Sequence, residues 1–138
     1  MADYNKVGVL IFNEDAILMC RKNNTTSKLI LPGGCIEQGE SHLECLHREV
    51  HEELGNDVEL VNLVFVGTYE DIAASDDPTV CKTLEIQLCR GELIGTPTPS
   101  SEITELVWFG RDSDPSELTP IFINKILPDL RARRMISW

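Results

Sequence analysis

Apolar and polar positions change period several times along this chain, and each change marks an element. Residues 6–13, KVGVLIFN, form a nearly unbroken apolar run rich in β-branched side chains, which predicts a buried strand. Asn13, Glu14 and Asp15 suit a turn, and residues 16–21 predict a second strand, hairpin-paired with the first. Residues 22–28, KNNTTSK, read as a polar loop. Residues 29–31 predict a short strand into Pro32, Gly33 and Gly34, where the chain must bend sharply. Further on, residues 58–69 are strand-like and 71–78 form a loop. Residues 79–89 alternate, with Leu84, Ile86 and Leu88 on one side and Thr83, Glu85 and Gln87 on the other. TPTPSSE, residues 96–102, is an irregular loop, residues 103–109 a last strand with Trp108 and Phe109, and RDSDPSEL another loop. From Thr119 to about Met135 the period is helical, with Ile123, Ile126, Leu127 and Leu130 facing in. Pro128 should kink or restart that helix. Strands in the middle with helices after the third strand and at the end predict a mixed α/β layered domain.

The segment after the glycines is the best punctuated. Ser41 is a good N-cap, Glu44 three residues later completes a capping box, and Gly55 suits the C-terminal cap. Leu43, Leu46, Val50 and Leu54 predict the core stripe of the enclosed helix. Glu49, Glu52 and Glu53 have the i, i+3, i+4 spacing that shares a helix face. Carboxylates crowded in this way repel, so something positive belongs among them. Hard divalent cations such as Mg2+ or Mn2+ take oxygen ligands of this kind. A random E-x-x-E-E is more often a solvated acidic face, so the flanking residues decide.

Composition narrows the classes. With 138 residues the chain predicts a single domain over 1–138, large enough for a real core. The net charge of −11 argues against broad nucleic-acid binding through a basic surface. It leaves a small phosphorylated substrate open, because bound cations reverse the local field. Five cysteines without a C-x-x-C pair disfavour a zinc site or a disulfide framework and read mostly as core thiols. No apolar run approaches a membrane span, and residues 1–20 lack the pattern of a signal peptide, so a cytosolic location is expected. A homodimer is compatible with the sequence. His42, His47 and His51 do not form H-E-x-x-H and read as exposed, and Cys35 reads as a packed thiol. Arg131, Arg133 and Arg134 read as complements to a helix dipole.

Residues 34–56, GCIEQGESHLECLHREVHEELGN, resemble the signature of the Nudix hydrolases, G-x5-E-x7-R-E-U-x-E-E-x-G-U with U aliphatic. The matches are Gly34, Glu40, Arg48, Glu49, Val50, Glu52, Glu53 and Gly55. Asn56 departs from the pattern, and Val58 is placed to take over its packing. The resemblance implies an α/β/α sandwich around a mixed β-sheet. It also implies Mg2+ or Mn2+ held by Glu49, Glu52 and Glu53 with the Gly34 carbonyl, and an Arg48–Glu40 bridge fixing the loop on the helix. The implied activity is metal-dependent hydrolysis of a phosphoanhydride in a nucleoside diphosphate linked to another group. A nucleoside triphosphate, a sugar nucleotide and a dinucleoside polyphosphate all fit.

For the general base the family pattern points to a loop glutamate. Glu102 is the first choice, Glu85, Glu92 and Glu105 are rivals, and Glu49 or Glu53 could orient the water instead. The coenzyme A signature and the proline marker of ADP-ribose hydrolases are missing. Tyr69 lies slightly short of the spacing of the dinucleoside polyphosphate group. The alternatives are a non-catalytic nucleotide-binding module on the same fold, disfavoured because every box glutamate is kept, and an acidic scaffold protein.

Overall fold

A computed structural model describes residues 2–23 and 26–138. Seven strands form one sheet: β1 Tyr4–Asn13, β2 Ala16–Lys22, β3 Leu29–Ile30, β4 Gly33–Cys35, β5 Glu59–Ile72, β6 Thr83–Ile94 and β7 Ile103–Phe109. The order is β3-β2-β1-β6-β5, with β4 added on β1 and β7 on β2. β1 runs parallel to β6 and antiparallel to β2 and β4, so the sheet is mixed.

Helices cover both faces, which is why β1 is apolar from Val7 to Phe12 rather than alternating. Val7, Val9 and Ile11 of β1, with Leu18 and Cys20 of β2, pack on one side against Cys45, Leu46, Val50 and Leu54 of helix α1, His42–Leu54. Leu10, Ile17 and Met19 point to the other side. There they meet Phe122, Ile126, Leu127 and Leu130 from the C-terminal helical segment. The result is an α/β/α sandwich around a mixed sheet, as the resemblance implies.

Several boundaries differ from the sequence reading, each for a physical reason. β5 runs on to Ile72 and β6 starts only at Thr83, because the two pair as a long hairpin whose last partners are Ile72 and Thr83, which moves the loop between them toward the C-terminus. Gly33 and Gly34 lie in a short strand as well as a bend: they pair with Gly8 and Val7. A Cβ on Gly33 would stand 2.0 Å from the Val7 carbonyl oxygen, and its φ of 144° suits glycine. The predicted terminal helix passes through π-helical turns over Phe122–Ile126 before it continues as the α-helical α2, Leu127–Ala132. Pro128 has no N–H to give and crowds the preceding turn, which the wider π turns relieve. Those turns also rotate Ile123 off the inward stripe, leaving it exposed.

Other side chains are corrected too. Leu43 is half exposed because the first turn of α1 lies over an open groove beside Leu63 and Phe65. Cys45 takes its place in the core. Cys35 and Cys81 are exposed, Cys20 and Cys45 buried, and all five thiols are free. His42 is exposed, but His47 and His51 are half buried, and His51 Nε2 lies 3.0 Å from the Val58 carbonyl oxygen. Arg131 stands in the last turn of the C-terminal helix, as a complement to its dipole should, and the arginines also tie segments together: Arg133 donates to the Val66 carbonyl at 2.9 Å and Arg131 to the Trp138 carbonyl at 3.0 Å. Val58 is buried against α1 while Asn56 is exposed. The predicted loop 22–28 begins with Lys22 in β2, and its residues 24 and 25 lie outside the described residues. No helix among the described residues is long and apolar enough to cross a membrane.

Candidate active site

Helix α1 starts where the sequence says it should. Ser41 Oγ accepts from the Glu44 N–H at 3.1 Å, and Glu44 accepts in return from the Ser41 N–H at 2.9 Å. At its other end, exposed carbonyls find partners in the loop 96–102. Thr98 N–H donates to Leu54 O at 3.0 Å and Ser100 N–H to Glu53 O at 3.1 Å. That loop is therefore fastened to α1, and it carries Glu102 to the same cavity that Glu49 and Glu52 line.

The three acids of the last turns do not share one surface. On a helix, positions 52 and 53 point roughly 100° apart, with 49 between them. The side chains of Glu52, Glu49 and Glu53 are correspondingly 50%, 14% and 4% exposed. Glu53 is turned under the glycine loop and does not face the cleft directly. Its Oε1 accepts the Gly33 N–H at 2.9 Å, and its Oε2 stands 2.7 Å from Lys22 Nζ. Oε2 is buried with the Lys22 ammonium as its counter-charge, and no other group among the described residues reaches it.

Burial pushes the Glu53 carboxyl above the usual carboxylate range, with Lys22 and the Gly33 N–H pulling the other way. Burial likewise raises Glu49, against the pull of Arg48 and Lys22. Burial works against the Lys22 charge, but Glu53 and Glu49 more than offset it and hold the lysine above its ordinary value.

Arg48 organises the outer part. Its Nε meets Glu40 Oε2 at 2.6 Å and one terminal nitrogen meets Glu40 Oε1 at 3.0 Å, a bidentate clamp. The other nitrogen reaches Glu49 at 3.0 Å and Glu52 at 3.3 Å. Hydrogen bonding to Arg48 holds the Glu40 carboxyl down at about 2, from an unfolded value of 4.5. The stability this bridge contributes is therefore complete above about pH 4.5 and fades as pH falls toward 2. Glu40→Gln should flatten the acid limb of the stability–pH curve in that window, read by urea titrations at several pH values. An unchanged slope would remove Glu40 from the account of acid unfolding.

Gly34 is needed for close approach. A Cβ there would lie 2.4 Å from Glu49 Cδ. The obstacle is a movable side-chain end, so Gly34→Ala should fold. Glu49 must swing away, however, and a misplacement of about an ångström costs on the order of 10² in rate. Thermal melts beside kcat would separate the two effects, and an unchanged kcat would dismiss the close approach as a requirement.

The donor set suits a hard cation: carboxylate oxygens, the glycine-loop backbone and the orphaned Oε2 of Glu53. As the side chains stand, no three His, Cys, Asp or Glu groups among the described residues close around one point. Arg48 and Lys22 supply the positive charge between the acids instead. Lys22 is the participant the sequence reading missed, assigned there to a polar loop. The strand's alternation, continued one residue past 21, would have put it on the face of Leu18 and Cys20.

Of the proposed bases, Glu102 lines the cavity. Glu105 pairs with Arg21 at 2.9 Å, Glu92 accepts from Asn62 at 2.5 Å, and Glu85 accepts from Gln87 at 3.4 Å. The cavity measures about 480 Å3. Glu49, Glu52, Glu102, Lys22 and the glycine loop contribute polar wall, and Leu84, Ile86, Phe122 and Ile126 contribute apolar wall.

Comparison with known proteins bears on the domain and its fold. The model of the NUDIX domain matches residues 4–130. A stretch of 63 residues, 44% of the chain, is 41% identical to the 8-oxo-dGDP phosphatase NUDT18 of Danio rerio, covering 19% of that protein. The chain thus spans about a fifth of the length of this curated relative. Among solved structures, a NUDIX hydrolase from Nitrosomonas europaea superposes with TM-score 0.74 at 21% identity, covering 98% of this chain and 96% of that one. The MutT NUDIX hydrolase from Burkholderia pseudomallei gives 0.71 at 22% identity, over 85% and 90%. At such identities the structural likeness speaks for the fold alone.

Proposed function

The chain belongs to the Nudix hydrolase family, and from that premise we propose that it is a metal-dependent nucleotide pyrophosphohydrolase acting on a nucleoside diphosphate linked to another group. The observation that carries the reading is the two-sided cavity. Its acidic wall with Lys22 and the glycine loop suits a phosphoanhydride chain and its cations, and its apolar wall suits a nucleoside. The relative named for 8-oxo-dGDP adds oxidised purine nucleotides to the candidates.

Glu49, Glu52 and Glu53, with the Gly34 carbonyl, would hold Mg2+ or Mn2+. The bound ion would neutralise the diphosphate and acidify the attacking water. Arg48 orients Glu49 and Glu52 and takes its own position from Glu40. Glu102, arriving from a different element, is the proposed acceptor of the water's proton. Our reading locates the enzyme in the cytosol, where its free thiols stay reduced.

The test is a phosphate-release screen over nucleoside di- and triphosphates, oxidised purine nucleotides, sugar nucleotides and dinucleoside polyphosphates, each with Mg2+ and Mn2+. At least one class should turn over. Binding of nucleotides without turnover of any would replace the enzyme by a binding module. On the best substrate, Glu102→Gln should lower kcat by roughly 10² while substrate affinity changes little. Glu92→Gln and Glu105→Gln should leave kcat near wild type. If Glu102→Gln behaves like those two, the base is Glu49 or Glu53.

A further inference from the structure

We infer that Lys22 is a built-in stand-in for the metal, an ammonium that holds Glu53 until a divalent cation enters and then leaves it for the cavity. The inference rests on the metal site proposed above and concerns this chain's own residues beside it.

Four observations carry it. First, Lys22 Nζ lies 2.7 Å from Glu53 Oε2, a buried oxygen that no other group among the described residues reaches, so the ammonium takes the place beside the carboxylate that a metal cation would need. A divalent ion brings twice the charge to the same oxygen and competes for it. Second, the pair is enclosed, with side chains 15% and 4% exposed. A buried carboxylate without its cation is costly, so some positive charge must stay beside Glu53. Third, the strand delivers the lysine by its own alternation: Lys22 follows Leu18 and Cys20 on the face toward α1, and the pairing of β2 with β7 reaches that far, with the extra residue of the register shift, Thr104, on β7. Fourth, Lys22 also lines the cavity with Glu49 and Glu52, so its flexible stem has space to move into.

Arg48 is a second cation beside these acids, and it is not exchangeable in this way. It is tied at once to Glu40, Glu49 and Glu52 and to the Cys35 carbonyl. Removing it would undo the attachment of the loop to α1. Lys22 has one carboxylate partner at ion-pair distance. A lysine ammonium is also a compact point charge, closer to a small cation than the forked guanidinium is. Once displaced, its charge stands in the cavity wall, where a substrate phosphate is the available anion.

The proposal makes an unusual demand: removing a positive charge from Lys22 should strengthen metal binding. Mn2+ affinity is measured by calorimetry on the wild type, Lys22→Met and Lys22→Arg, with thermal midpoints in chelator and in saturating Mn2+. Lys22→Met should bind Mn2+ roughly three- to tenfold tighter, the scale of one exchangeable ion pair. It should melt lower than wild type in chelator, and Mn2+ should close most of that gap. Lys22→Arg, which keeps the charge, should stay close to wild type in affinity. Equal or weaker Mn2+ binding by Lys22→Met overturns the inference and leaves the metal site standing. No Mn2+ binding by the wild type removes the site itself, and the inference with it.

A measurement on the wild type guards against a variant that does not fold. The ammonium 15N signal of Lys22, sharp while Glu53 holds it, should broaden away as Mg2+ is added. Its persistence at saturating Mg2+ overturns the inference.

Discussion

Glu53→Gln should lower kcat on the best substrate by about 10²–10⁴, the usual cost of losing a ligand or proton acceptor, while the protein still folds. The folding half of this expectation rests on asymmetry within the buried pair. Glutamine keeps a carbonyl oxygen for the Gly33 N–H, so that backbone donor is not orphaned. The charge removed is one that burial already disfavours. Lys22, left behind, can extend its stem along the cavity wall and put its ammonium in water. The melting point should therefore move by no more than a few degrees, corresponding to about 1 kcal/mol for a domain of this size. Glu53→Ala is the contrasting variant. It strips the Gly33 N–H of its acceptor and opens a hole under the loop, and it should melt distinctly lower. A Glu53→Gln enzyme with near wild-type kcat would take Glu53 out of the chemistry. A Glu53→Gln protein that fails to fold would make Glu53 a structural residue first.

Much of this arrangement can be read from local pattern, and the remainder depends on what each element meets. The cap of α1 is legible because the Ser41 and Glu44 side chains each accept from the other's backbone N–H, within four residues. The Arg48–Glu40 clamp follows from motif spacing, since both residues sit on one loop–helix unit. By contrast, Glu53 differs from Glu52 only in angle on the helix, and that angle matters only once the glycine loop lies over it. Lys22 is invisible for a related reason. KNNTTSK is as polar as any loop, and β2 continues to Lys22 because β7, more than 80 residues later, pairs with it there. The loop 96–102 looks mobile from its Pro, Thr and Ser content. It is held because Thr98 and Ser100 answer the open carbonyls at the end of α1. Pro128 signals an interruption, but whether the helix kinks, restarts or widens into π turns is settled by packing against the sheet.

Turnover should fall to background in chelator and return with Mg2+ or Mn2+. In a chain of net charge −11, the cavity wall carries Glu49, Glu52 and Glu102 with Glu53 just beneath. An anionic substrate entering that wall meets these carboxylates while Arg48 is already shared among Glu40, Glu49 and Glu52 and Lys22 is paired with Glu53, which leaves Lys6 to face it from the cavity lining. Additional divalent charge is what lets a diphosphate approach these acids at all, so both affinity and rate depend on it. The pattern with pH follows from the same groups. Because burial raises Glu49 and Glu53, protons compete for them from a higher pH than for ordinary carboxylates, and the metal concentration for half-maximal rate should climb as pH is lowered toward that range. Ca2+, larger and content with irregular coordination, is the useful comparison with Mg2+ and Mn2+. It should restore the melting point that chelator lowers more fully than it restores turnover. Full activity in chelator, after exhaustive removal of bound ions confirmed by elemental analysis, would refute the metal-dependent mechanism and leave the acids with a purely structural explanation to find.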